Sequence, residues 1–302
     1  MPVLDDIRIE KIAGPTFGAR VLGVRVTDLD DAAFSRIRQS WVAHKLLVFP
    51  GQHLTREEQV AFAERFGELE IDLTELTNVK PDGRIATDEK EDLQLLILKG
   101  NFFWHCDSTF IPLQAKAGIL SACAMPSVGG ETEWVDLAAA YEALDPAMQA
   151  RVEGLIAYHS VVRSSAKVHA HFLGAERAAA LAAQRPVQTG PYADYGRDVD
   201  PPLRPLVKRH PETGRPSLNI GRHAYQISGM SEEDSEDFLG ELMDFAARAP
   251  RVYTHKWTVG DLVVFDNRCL AHRVRPWKED EARVMLNSRV AGDPATETSL
   301  PA

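Results

Sequence analysis

Two side chains placed two apart, and a third far along the chain, restrict the folds open to this sequence more than anything else in it. His105 and Asp107 flank Cys106 in WHCDSTF, and His272 follows a strand-like run in DLVVFDNRCLAHR. An extended backbone turns alternate side chains to opposite faces, so in a strand His105 and Asp107 point one way and Cys106 the other. A fold that also returns residue 272 to this face would assemble two imidazoles and one carboxylate around a single point. Such a set occupies one face of an octahedral metal and leaves the opposite positions open, the arrangement of non-haem Fe(II) oxygenases. A chance pair is the competing reading, because a chain with ten histidines contains others. His169 and His171 in HAHF are one, in an alanine-rich stretch that reads as helix, where residues two apart do not share a face.

The company kept by the three residues favours the metal reading. Arg283, in EARVMLNSRV, comes eleven positions after His272 (283 − 272 = 11), in a segment whose alternation predicts the next strand. Upstream, Thr132 follows a glycine turn in GGETEWVD. A planar guanidinium and a hydroxyl can hold the far carboxylate of a dicarboxylic acid by charge-assisted hydrogen bonds, which suits 2-oxoglutarate. Taken singly, Arg283 reads as a surface or ion-pair arginine and Thr132 as a strand residue that caps a turn.

The segments LLVFPGQHLTREEQVAFAERFGELE, WHCDSTF, GGETEWVDLAAAYEALDP, RPLVKRHPETGRPSL and GDLVVFDNRCLAHR, followed by Arg283, resemble the taurine and 2,4-dichlorophenoxyacetate dioxygenases. They stand in that family's order and cover nearly the whole chain. Within the group the chain looks most similar to the aryloxyalkanoate dioxygenases, which cleave phenoxyacetate and phenoxypropionate herbicides. The resemblance implies a 2-oxoglutarate-dependent non-haem iron dioxygenase that uses Fe(II), 2-oxoglutarate and O2. It implies iron bound by His105, Asp107 and His272, and 2-oxoglutarate anchored by Thr132 and Arg283 with Asn101 nearby. Related iron halogenases replace the carboxylate ligand with a small residue to admit chloride, so Asp107 implies oxygenation. There is one departure. Four positions beyond Arg283 the taurine and dichlorophenoxyacetate enzymes tend to carry a second arginine for the substrate anion, and this sequence has Asn287. Arg289 is the nearest basic residue, and on a strand Arg283, Asn287 and Arg289 share a face because their separations are even. Taurine is thereby a less suitable substrate.

The expected reaction is hydroxylation of a small organic acid, an aryloxyalkanoate in the favoured case, with release of succinate and CO2. Hydroxylation of a carbon that bears an ether oxygen gives a hemiacetal or hemiketal that falls apart to a phenol and an oxo acid, so no catalytic serine or cysteine is required. A buried substrate carboxylate needs a buried cation. The candidates are Lys99, Arg222, His223 and Arg289, each of which alone also reads as exposed or structural. Two alternatives stay open: the same mechanism on a sulfonate, a modified amino acid or a secondary metabolite, and a non-catalytic or zinc-hydrolase member of the fold.

Composition narrows the class. At 302 residues with 44% hydrophobic content, the chain is long enough for one elaborated domain spanning 1–302 with a sizeable core. A net charge of −10 opposes nucleic-acid and anionic membrane partners, so an anionic substrate needs a local positive pocket. There is no run of about eighteen apolar residues and no basic-then-apolar amino terminus, so neither a membrane span nor a signal peptide is expected. Cys106, Cys123 and Cys269 are too few and scattered for a disulfide framework, and no CxxC pair suggests zinc. They fit a reducing cytoplasm. The resemblance implies a homo-oligomer.

The pattern along the chain is α+β. A strand pair is expected in RIEKIAG and ARVLGVRV, a helix in DDAAFSRIRQSWVAHK, and a buried strand in LLVFP. The next helix begins at Thr55, with Glu58 completing a capping box. Asp136, Asp145 with Pro146, and Ser231 with Asp234 open later helices. Short β-like segments separated by long connections predict a double-stranded β-helix of the jelly-roll kind with helices packed outside. Residues 72–100 and 184–202 lack regular pattern and are expected to be mobile loops that could cover the site.

Overall fold

The computed structural model describes residues 7–90, 92–183 and 200–301. β1 (Arg8–Lys11) and β2 (Ala19–Leu22) pair antiparallel as expected, and α1 (Asp31–His44) follows. Asp30 caps α1 by accepting from Ala33 N, satisfying one of the donors that a helix start leaves free. β3 (Leu46–Phe49) leads into α2 (Arg56–Glu64), where Thr55 and Glu58 make the expected reciprocal cap. After β4 (Leu69–Thr77) and α3 (Leu93–Lys99) come β5 (Ala117–Ala124) and β6 (Thr132–Asp136). Asp136 then caps α4 (Leu137–Glu142), and Asp145 caps α5 (Pro146–Val152). β7 (Ile156–His159), α6 (Val161–Leu173) and α7 (Ala175–Ala183) precede four short strands: β8 (Leu203–Pro205), β9 (Val207–Arg209), β10 (Pro216–Leu218) and β11 (Ala224–Ile227). Ser231 caps α8 (Glu232–Ala246), and β12 (Val252–His255), β13 (Leu262–Asp266), β14 (Leu270–Val274), β15 (Val284–Val290) and α9 (Pro294–Glu297) complete the order.

A seven-stranded sheet runs β1-β2-β3-β13-β5-β15-β4, antiparallel at every join except β2 to β3. A second sheet, β12-β6-β14, is antiparallel throughout. Strand alternation explains how they stack. Leu47 and Phe49 of β3, with Leu262 and Val264 of β13, meet Ile37 and Trp41 of α1 and Phe62 of α2. The alternate residues Leu46, Val48, Val263 and Phe265 meet Trp134 of β6 and Leu270 of β14. Both faces of β3 and β13 are therefore covered, which is why LLVF and LVVFD read as unbroken apolar runs. The second sheet is covered on its outer side, where Val135 and Ala271 pack with Leu137 of α4 and Phe238 of α8. At Gly118 in β5 a Cβ would lie 2.3 Å from the Phe265 ring, so glycine is what admits that ring between the sheets.

Part of the loop expectation is corrected. The stretch 72–100 holds most of β4 and all of α3. LQLLILK has too little polar spacing to show a helical face, yet Asp92 caps it and Leu95 and Leu98 bury against Val274 and Trp277. Of the other stretch, 184–199 lie outside the described residues, and 200–202 carry no helix or strand. Among the described residues no helix is long and apolar enough to cross a membrane.

Candidate active site

His105 and His272 sit opposite each other in a single antiparallel bridge, His105 N donating to His272 O at 3.0 Å and His272 N to His105 O at 2.8 Å. Reciprocal bonding of this kind sets two side chains shoulder to shoulder on one face, and the imidazole centroids are 4.2 Å apart. The expected strand through His105 and Asp107 is corrected: only His105 pairs, and residues 107–110 form a turn with Ser108 at φ 59°. Asn267 replaces the missing ladder. Its Oδ1 accepts from Asp107 N at 2.7 Å, and its Nδ2 donates to Asp107 O at 2.9 Å and to Ala115 O at 2.7 Å. The side chains nevertheless diverge as alternation predicts, with Cys106 Sγ turned to Leu270 O and the core.

Ligand atoms of His105, Asp107 and His272 all lie within 4.8 Å of one another. His105 Nδ1 is 2.8 Å from Phe103 O; a carbonyl only accepts, so Nδ1 carries the proton and Nε2 presents its lone pair. His272 Nε2 is 3.9 Å from Asp107 Oδ2, too far for a hydrogen bond and open enough to admit a cation between them. Burial pushes both imidazoles down, His105 well below the usual histidine range with His272 and Arg222 adding to the effect, while Asp107 opposes the shift at His272. Neutral imidazoles and an oxygen donor form a set that fits a divalent first-row metal.

Asn101, Thr132, Arg283, Asn287 and Arg289 line the same cavity as the three candidate ligands, with Leu76, Leu120, Val274 and Met285 as its apolar wall. Arg283, Met285, Asn287 and Arg289 thus share a face, as their spacing predicts. Thr132 Oγ1 accepts from Trp257 Nε1 at 2.9 Å, so its own hydrogen is left to donate. Arg283 is 4% exposed, donates from Nε to Gly130 O at 3.3 Å and makes no ion pair among the described residues. Its burial lowers the guanidinium to about 10.

The proposed substrate contacts divide. Arg222 N donates to Trp104 O at 2.8 Å, which fixes it beside the ligand segment. A Cβ on Gly100 would lie 2.3 Å from Arg222 Nη1, so that glycine makes room for the guanidinium. Arg222 Nε is enclosed without a hydrogen-bond partner among the described residues, and burial lowers this group to about 10 despite Asp107 nearby. His223 is held by Ser164 Oγ at 2.8 Å from Nδ1, with its ring 4.8 Å from Phe110. Lys99 is engaged elsewhere: its ammonium lies 2.7 Å from both Glu89 and Glu279 and 5.3 Å over the Phe172 ring. Sequence reasoning missed Asn267, although a polar residue closing the apolar run LVVFD was a usable signal. It also missed Met285 and the apolar wall, which carry no signature of their own.

His210, Asp266 and Cys269 form a second buried group with ligand atoms this close. Asp266 is already held by Arg268 Nη2 at 2.6 Å and His210 Nε2 at 2.9 Å, so a cation there would have to displace a guanidinium. Burial also pushes the Cys269 thiol up. This group ties chain segments together and offers no open position.

The sequence profile described as "Taurine catabolism dioxygenase TauD, TfdA family" matches residues 8–288. The chain belongs to the TauD, TfdA family. It is 50% identical over 286 residues to the (S)-phenoxypropionate/alpha-ketoglutarate-dioxygenase of Sphingobium herbicidovorans, covering 94% of this chain and 95% of that protein. It is 32% identical to the alpha-ketoglutarate-dependent 2,4-dichlorophenoxyacetate dioxygenase of Cupriavidus pinatubonensis, covering 93% and 98%. The crystal structure of AAD-2 in complex with Mn(II) and N-oxalylglycine superposes with a TM-score of 0.82 at 32% identity, covering 98% of this chain and 99% of that one. The family and the enzyme class expected from the sequence, a 2-oxoglutarate-dependent non-haem iron dioxygenase, agree with these relatives.

Proposed function

We propose that this TauD, TfdA-family chain hydroxylates an aryloxyalkanoate, with (S)-2-aryloxypropionates preferred, in a reaction that consumes 2-oxoglutarate and O2. One observation carries the reading: Arg283 lines the cavity of the His105, Asp107 and His272 cluster, Arg222 stands close enough for its charge to act on His105 and Asp107, and neither makes an ion pair with a carboxylate among the described residues. Holding a cation away from water without an ion-pair partner is costly, so the buried Arg283 and the half-buried Arg222, whose Nε is covered, suit two anions. The far carboxylate of 2-oxoglutarate suits Arg283 with the Thr132 hydroxyl, and a substrate carboxylate suits Arg222. The relatives named for phenoxypropionate and dichlorophenoxyacetate supply the aryloxy half of the proposal. In this reading the whole chain acts as one domain, its two facing sheets form a double-stranded β-helix, and it works in the reducing cytoplasm.

His105, Asp107 and His272 would hold Fe(II), which when bound supplies open coordination positions and the activation of dioxygen. The protein's share is placement and exclusion of water. Arg283 and Thr132 orient the keto acid; Arg222 orients the organic acid; Leu76, Leu120, Val274 and Met285 keep the space between them dry. A product hydroxylated beside its ether oxygen collapses to a phenol and an oxo acid without a protein nucleophile.

The test is an anaerobic titration of the Fe(II) protein with 2-oxoglutarate, followed by aerobic turnover of the separate enantiomers of 2-phenoxypropionate. A visible charge-transfer band on 2-oxoglutarate addition, loss of that band in His272→Ala, and phenol released in step with succinate are the expected results. A protein that turns over neither enantiomer but couples succinate to a sulfonate or another acid would remove the aryloxyalkanoate assignment while leaving the enzyme class in place.

A further inference from the structure

The two oxygens of Asp107 have different neighbours. Oδ2 faces His272 Nε2 at 3.9 Å, whereas Oδ1 lies 2.9 Å from Arg289 Nη2. Arg289 is itself braced. Its Nη1 donates to Ser108 Oγ at 3.4 Å and stands 3.9 Å from Glu70 Oε1, and Ser108 Oγ donates to that same Glu70 oxygen at 2.6 Å. The register of β15 shifts between Asn287 and Arg289 against β4, and Arg289 then stands opposite Ile71 of β4 and Gly118 of β5. The Asp107 backbone, meanwhile, is gripped on both its N–H and its carbonyl by Asn267. Main chain and one carboxylate oxygen are therefore fixed by separate groups, and a single oxygen is left facing the two imidazoles.

We propose that Arg289 is a positioning residue that keeps Asp107 a one-oxygen ligand. The inference rests on the metal reading given above. Six positions surround an octahedral ion, and three protein donors leave three. A carboxylate that swings to bind through both oxygens takes one more and leaves two, which a chelating keto acid would fill completely. Arg289 occupies the second oxygen with a close ion pair and so holds a coordination position open. Arg222 is then the anchor of the substrate carboxylate, and Arg289 acts through Asp107.

The experiment compares wild type with Arg289→Met. Binding of Mn(II), and of 2-oxoglutarate and N-oxalylglycine to the Mn(II) protein, is measured by calorimetry without turnover. The Fe(II) charge-transfer titration is run alongside, without substrate. In Arg289→Met the keto acids still find two positions, but nitric oxide, a stand-in for dioxygen, is expected to bind the Fe(II) and 2-oxoglutarate-loaded protein at least about 10-fold more weakly than it binds wild type, the usual scale for removing an outer partner of a ligand. Mn(II) and keto-acid affinities are expected to change less than nitric oxide affinity, since the extra carboxylate oxygen compensates the metal. Arg289→Ala is read by the same criteria if the methionine variant does not fold. Unchanged nitric oxide affinity, or a defect confined to substrate KM, overturns the proposal. A wild-type protein that shows no band with 2-oxoglutarate would instead remove the functional reading beneath it.

Discussion

At the scale of single residues, the site is defined by charges left without partners. Arg283 is buried and Arg222 half-buried beside the cluster, neither with an ion pair among the described residues, and each would gain its carboxylate partner when its anion arrives. Arg283→Met is expected to raise the dissociation constant of 2-oxoglutarate, and Arg222→Met the KM of the aryloxy acid with 2-oxoglutarate binding unchanged. A hydrogen bond to a charged group contributes roughly 1.5–3 kcal/mol, so each effect should be about 10- to 100-fold. Calorimetry for the first and steady-state kinetics for the second check the split. The candidate trio could be picked out of the sequence because WHCD and LAHR are local patterns, and the structure brings the three side chains together. The division of labour among Lys99, Arg222, His223 and Arg289 was not legible in the sequence. Whether a cation is free or already paired depends on Glu89, Glu279 and Asp107, which reach it through space and from distant segments.

At the scale of elements, caps and alternation carried most of the information. Asp30, Thr55, Asp136, Asp145 and Ser231 each close the first turn of the helix they precede. Asp136 does more than its position in the sequence reveals. It caps α4 through Ala139 N at 3.0 Å, accepts from Thr16 Oγ1 at 3.0 Å, and is gripped by Lys45 Nζ at 2.7 and 2.6 Å, joining α1, β6 and α4 in one buried node. Lys45→Met leaves that carboxylate enclosed without its cation and should cost about 3–5 kcal/mol, read as a drop in the urea midpoint. A double variant that also replaces Asp136 with leucine should lose less than Lys45→Met alone. β4 and α3 escaped detection for opposite reasons. β4 is half-exposed at an edge, so its alternation is weak, whereas α3 is apolar nearly throughout.

At the scale of the whole molecule, a chain of net charge −10 brings three arginines to one site: Arg289 pairs with Asp107, Arg222 stands close enough to feel its charge, and Arg283 lines the same cavity. Buried ion groups away from the site tie the layers together and set the response to acid. Burial alone would raise the Asp266 carboxyl, but Arg268 and His210 beside it hold it well below the usual carboxylate range. A depressed folded-state value contributes stability that is complete above the unfolded value of about 4 and is lost as pH falls below it toward the folded value. Urea midpoints measured from pH 7 down to pH 3 should therefore fall on the acid side in wild type. Asp266→Asn should start lower at neutral pH and show a shallower decline. An acid profile identical in the two proteins would remove this role.

Taken alone, the sequence determined the periodicities, the caps, the buried strand in LLVF, the strand-like run LVVFD, and the local patterns that single out His105, Asp107 and His272 as candidates, because each depends on neighbours within a few residues. The tertiary structure decided the rest. It set His105 against His272 in one bridge, let Asn267 take the place of a strand at Asp107, paired Lys99 away from the cavity, and aimed Arg289 at a single carboxylate oxygen. Those outcomes turn on distances between segments far apart along the chain, and electrostatic interaction falls with spatial separation, not with separation in sequence.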